Sequence, residues 1–147
     1  MNQVKFAFVL IGSGLLLSIF FHAAIMLDLI SLEHKYILYI NLALILLLAP
    51  GMSISRKFGE DVNVENFWET MMKIFPIWLK LVLGIILAYG IIVFINFTYI
   101  NSAFTNRGDM SAMLAKLNKG ASAATIIFYA VQFLLLNLYW RLKNNKN

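Results

Sequence analysis

The chain has 147 residues, enough for one domain, of which 61% are hydrophobic and 13% charged; ordinary soluble domains run at about 45–50% and about 25%. A soluble chain of this size has too much surface to hide that much apolar material, so lipid is expected to be the solvent for most of it. The net charge of +5 comes with no cysteine, which excludes disulfides, iron–sulfur ligation and cysteine nucleophiles; the basic residues sit at the ends of hydrophobic runs, so nucleic-acid binding is not expected.

Four segments reach the roughly 20 residues needed to cross a hydrocarbon core of about 30 Å. Each is expected to be a helix, because a backbone in lipid satisfies its polar groups only as a helix or a closed barrel. The first runs from about Phe6 to Leu27. A cleaved signal peptide would need a shorter apolar run and a small residue where Phe21 stands, so the segment is predicted to be retained. "SLEHK" then makes a tight antiparallel hairpin with the second span, Tyr36 to Ile54, where Pro50 and Gly51 predict a bend.

The next predicted element is an amphipathic helix over residues 64 to 75. Val64, Phe67, Trp68, Met71, Met72 and Phe75 recur at helical spacing, with Asn63 as N-cap and Glu65, Asn66, Glu69, Thr70 and Lys73 on the other face. That polar face is too acidic to attach to anionic lipid by charge, so Phe67, Trp68 and Met71 are expected to face lipid or the bundle while Glu65, Glu69 and Lys73 face outward. Pro76 is expected in the first turn of the third span, Ile77 to Ile100. Trp78 and Lys80 anchor its start at headgroup level. Within the long connection that follows, Asp109 as N-cap, Met110, Met113, Leu114 and Leu117 at helical spacing and Gly120 as C-cap predict a short helix on the outer surface. The fourth span runs from Ala123 to Leu142, with Tyr139, Trp140 and Arg141 as interface anchors.

Orientation follows from the lysines and arginines. Lys5, Arg56, Lys57, Lys73, Lys80, Arg141, Lys143 and Lys146 would lie on one side, and Lys35, Arg107, Lys116 and Lys119 on the other. That asymmetry places both termini in the cytoplasm. The expected architecture is an all-α, single-domain integral membrane four-helix bundle with a cytoplasmic interfacial helix and a short outer-face helix.

His22, Asn41 and Asn96 are the polar residues of note inside spans, all in the outer third, with Asp28 and Tyr99 at the rim. Such residues usually serve as interhelical hydrogen bonds; the alternative is a ligand or proton site in which His22 titrates. Gln132 and Asn137 read as packing contacts. Two histidines without cysteine do not make a metal site, and no cofactor is implied. Gly14-x-x-x-Ser18, Gly84-x-x-x-Ala88 and Gly120-x-x-x-Ala124 permit close helix contact, within the chain or between copies. "RGD" at 107 to 109 and "NFT" at 96 to 98 are chance-level matches, and the absence of a phosphate loop, nucleophile elbow or HExxH argues against an enzyme.

At "FWETMMKIFPIWLK" the chain resembles a set of small bacterial four-span membrane proteins in which an aromatic pair leads through a proline into P-x-W-L-K or P-x-W-M-K. "FFHAA" resembles their F-x-x-H, and "KGASAATIIFY" resembles their R-x-F-S-G-H-W-M-x-F-Y. The resemblance would mark His22, Phe67, Trp68, Pro76, Trp78, Lys80, Ser122 and Tyr129; it departs at Ala124 and Thr125, where those proteins carry His and Trp. It implies the fold and a bacterial origin and supplies no activity. The expectation is thus a non-catalytic accessory, regulatory or interaction subunit of the inner membrane, with a membrane-protein partner or a second copy. The alternatives are a homo-oligomeric small transporter or channel, and an immunity-type protein against a membrane-active toxin.

Overall fold

The structure is a computed structural model that describes residues 2–30, 33–49, 51–53, 66–100 and 110–144. Every regular element among them is helical: α1 (Asn2–Met26), α2 (His34–Leu46), α3 (Phe67–Ile74), α4 (Ile77–Ile95) with a π turn (Asn96–Ile100) at its end, and α5 (Met110–Asn144). Four stretches, Lys5–Met26, Lys35–Ser53, Ile77–Tyr99 and Met110–Leu142, are long and apolar enough to cross a membrane. Their outward faces are apolar as well, since Phe6, Val9, Phe20, Leu46, Ile77, Ile85 and Ile92 are each more than half exposed. A helix apolar all round belongs in a large core or a bilayer.

Helix α5 is the centre of the bundle. It packs against α1, α2, α4 and, near its end, α3. Half of its most apolar window is buried, against 28%, 29% and 22% for the other three. Around it converge Ile11 and Leu15 of α1, Leu44 of α2 with Leu48 beyond it, Met71 and Phe75 at α3, and Leu79 and Leu83 of α4.

Two elements depart from expectation. The short outer helix and the fourth span are one 35-residue helix, α5, about 52 Å long at 1.5 Å per residue. Gly120 does not cap it, because no glycine among the described residues has a positive φ. It is instead a contact glycine: a Cβ there would come within 2.7 Å of Thr98 Oγ1 in the π turn. The C-cap signal and the close-approach signal are the same residue, and packing decides between them.

The second departure lies in α2. Pro50 is outside the described residues, but the helix is interrupted upstream of it, where Leu48 N–H donates to Ile45 C=O at 3.0 Å, a three-residue bond. Helical backbone resumes at Ala49 and is present again at 51–53. Pro76 stands one place earlier than expected, as the N-cap of α4, its carbonyl accepting from Leu79 and Lys80. Its ring drives the preceding Phe75 to extended backbone (ψ 136), which is what ends α3.

The other helix end is made without glycine. Asp28 has φ 52, and the bonds Asp28 N–H to Ile25 C=O and Leu29 N–H to Ala24 C=O form a Schellman motif that closes α1. Lys119 of α5 reaches the Asp28 carboxylate at 3.3 Å and ties this cap to the central helix.

Candidate functional site

One face of α5 carries Asn118, Ser122, Thr125 and Tyr129, spaced by four, three and four residues, and each is 1% exposed. Polar side chains at that spacing lie on a single stripe. Each of the three other long apolar helices contributes a polar group to it, α4 by way of His22. From α1, His22 Nδ1 lies 2.7 Å from Ser122 Oγ. From α4, the Tyr89 hydroxyl lies 3.1 Å from His22 Nε2. From α2, Asn41 Oδ1 lies 3.4 Å from Thr125 Oγ1, and the Leu44 carbonyl accepts the Tyr129 hydroxyl at 2.7 Å.

The direction of these bonds follows from proton counting. Ser122 has one hydroxyl proton and donates it to Lys119 C=O at 3.0 Å, so its lone pairs are left to accept from His22 Nδ1–H. In the neutral imidazole Nε2 then carries the lone pair and accepts from the Tyr89 phenol. Both ring nitrogens are used, and the ring stands edge-on to that of Tyr89 at 5.7 Å. The single Thr125 hydroxyl proton faces two acceptors, Asn41 Oδ1 and the Ala121 carbonyl at 3.0 Å, while Asn41 Nδ2 donates to Ile37 C=O at 3.1 Å.

Tyr129 has a distinct role. Where α2 is interrupted, Leu48 N–H turns to Ile45 C=O, and the carbonyl one place earlier, Leu44, is taken by the Tyr129 hydroxyl. A carbonyl released by an irregular turn is expensive to bury unpaired, so the tyrosine makes the irregularity tolerable.

The residues expected to matter fall as follows. His22 and Asn41 are both buried and both dock on the α5 stripe, through Ser122 and Thr125. Asn96 lies in the π turn, half-buried, and is not among the hydrogen-bond partners of His22 or Asn41. Asp28 reaches the stripe's end through Lys119, while Tyr99 is largely exposed with its ring against Phe94. Tyr89 and Asn118 join the stripe without having been singled out. The four-three-four spacing of polar residues in an otherwise apolar span was the available signal for Asn118, and nothing local marks Tyr89.

At the opposite end, Glu65 lies outside the described residues, and Phe67 and Trp68 open α3. Met71 and Phe75 are buried against the bundle, whereas Glu69 and Lys73 are exposed and pair at 2.6 Å. The hydrogen bond from Lys73, and then its charge, hold the Glu69 carboxyl below its ordinary value. A depressed carboxyl favours the folded state above the unfolded pKa, and the effect fades as pH falls through the folded one. Trp78 is exposed. Lys80 donates to Met72 C=O at 2.9 Å, closing the C-terminal turn of α3. Tyr139 and Trp140 are half-buried, and Arg141 donates to Asn137 Oδ1 at 2.8 Å with its guanidinium 5.9 Å from the Phe75 ring centre.

No group of His, Asp and Glu among the described residues is arranged to hold a metal ion. A double-mutant cycle between His22→Leu and Ser122→Ala, read by reversible unfolding in mixed micelles, is expected to give a coupling of about 1 kcal/mol, the scale of interhelical hydrogen bonds in lipid. Strict additivity would sink the pairing. Compared with protein-family models, with curated proteins and with solved structures, the chain finds no significant match.

Proposed function

We propose that the chain is a small multi-pass protein of a bacterial inner membrane, with both termini cytoplasmic, that works without catalysis as an accessory or interaction subunit. The observation that carries this reading is the seating of α3: Met71 and Phe75 enter the core, Lys80 and Arg141 secure the helix from α4 and α5, and the charged pair Glu69 and Lys73 faces away from the bundle. A helix held that firmly by one face presents the other in a fixed orientation, as a recognition surface requires. The polar groups inside the spans support the same view. His22, Ser122, Tyr89, Asn41, Thr125 and Tyr129 bond to one another or to backbone, which spends them on helix association.

Exchanging the charges, Glu69→Lys with Lys73→Glu, keeps an i, i+4 pair and costs the helix only a few tenths of a kcal/mol. A stoichiometric partner recovered with the wild-type chain from gently solubilised membranes should be lost at least about tenfold on the exchange, equivalent to about 1.4 kcal/mol. Recovery of a lone monomer, or flux in proteoliposomes that vanishes in His22→Ala, would overturn the reading, the second in favour of a transporter.

A further inference from the structure

At the end of the bundle opposite His22, the start of α1 and the end of α5 leave an open cleft of about 280 Å³ lined by Lys5, Phe8, Val9 and Trp140. Its floor is firm, since the Phe8 ring packs on Phe133 of α5 with centroids 4.9 Å apart. Lys5 is exposed at its mouth, and no carboxylate among the described residues pairs with it. Phe8 and Val9 follow Lys5 by three and four residues, so the apolar wall lies about 5 Å, one helical turn, below the charge. An open apolar cleft with a single charge at its mouth suits an occupant that has one charged end and a chain that continues beyond it.

We propose that this cleft is a headgroup-level site for an anionic phospholipid, with the phosphate against the Lys5 ammonium and the first methylenes of one acyl chain over Phe8, Val9 and the Trp140 ring. The assignment rests on the membrane reading above. Charge selects the anionic headgroup, the step from Lys5 to Phe8 matches the step from phosphate to acyl chain, and Trp140 supplies the amphipathic ring favoured at that level. Lys5 thus has a purpose besides orientation.

The test uses the full chain in vesicles of equimolar phosphatidylglycerol and phosphatidylcholine with identical acyl chains, followed by native mass spectrometry of the lipid that stays bound. Phosphatidylglycerol should be retained about fivefold over phosphatidylcholine, the scale of one basic residue's attraction to anionic lipid. Lys5→Gln should bring the ratio near one and Lys5→Glu below it, while Trp140→Ala should lower retention of both lipids at an unchanged ratio. A ratio unaffected by Lys5→Gln overturns the site. So does an equal fall in Lys35→Gln, whose lysine pairs with Glu33 elsewhere, because the preference would then follow net charge. Failure of the chain to float with the vesicles would sink the membrane reading itself, whereas flotation without lipid preference sinks only the cleft.

Discussion

Gly14→Val is expected to cost about 3 kcal/mol, at the upper end for overpacking a tight interface. A Cβ at Gly14 would fall on the Tyr129 ring, overlapping Cε1 and lying 2.8 Å from the hydroxyl. The ring is 1% exposed and its hydroxyl is bonded to Leu44 C=O, so it cannot turn aside without breaking that bond or parting α1 from α5. Gly84 is the control, because nothing among the described residues lies within 4 Å of a Cβ there. Gly84→Ala should be neutral or stabilising by up to about 1 kcal/mol through helix propensity. Thermal unfolding in detergent, followed by size-exclusion chromatography, measures both; equal melting points would refute the packing described for Gly14.

Tyr129→Ala is expected to lose about 3–5 kcal/mol, the range for removing a buried aromatic ring, while Tyr129→Phe loses only about 1 kcal/mol with the hydroxyl. The wide gap between the two reports that the ring, wedged between α1 and α2, contributes more than its hydrogen bond. In the Tyr129→Ala background the cost of Gly14→Val should shrink, because the valine then enters space the ring has left. Full additivity of the two changes would show that Gly14 and Tyr129 are not in contact.

Small-xxx-small spacing shows how a local signal becomes three different structures. Gly14 receives the Tyr129 ring, Gly120 receives Thr98, and Gly84 meets nothing among the described residues. The spacing states that a backbone can be approached closely. What approaches it depends on which helices become neighbours. The same holds for Gly120, whose place after Lys119 reads as a helix end and whose backbone continues helically within α5.

The polar residues divide in a similar way. His22 and Asn41 are conspicuous because an ionisable or amide group inside an apolar run demands a partner, and that demand is legible without coordinates. Their partners, Ser122, Tyr89 and Thr125, lie between 67 and 100 residues away in the chain, so no local pattern assigns them. Asn96 makes the same demand but lies in the π turn, outside the hydrogen bonds of the other two.

By itself the sequence determined the helical class, the presence of four long apolar stretches and the break at Pro76. These depend on terms local to the chain: apolar area, helical periodicity, and the missing N–H and bulky ring of proline. Only the tertiary structure decided that α5 is one continuous helix at the centre, that its Asn118 to Tyr129 stripe gathers a polar group from each of the other three long apolar helices, and that Tyr129 repairs the irregular turn of α2. Each of those outcomes depends on which surfaces meet, and a helix apolar on all sides does not say which side is inward.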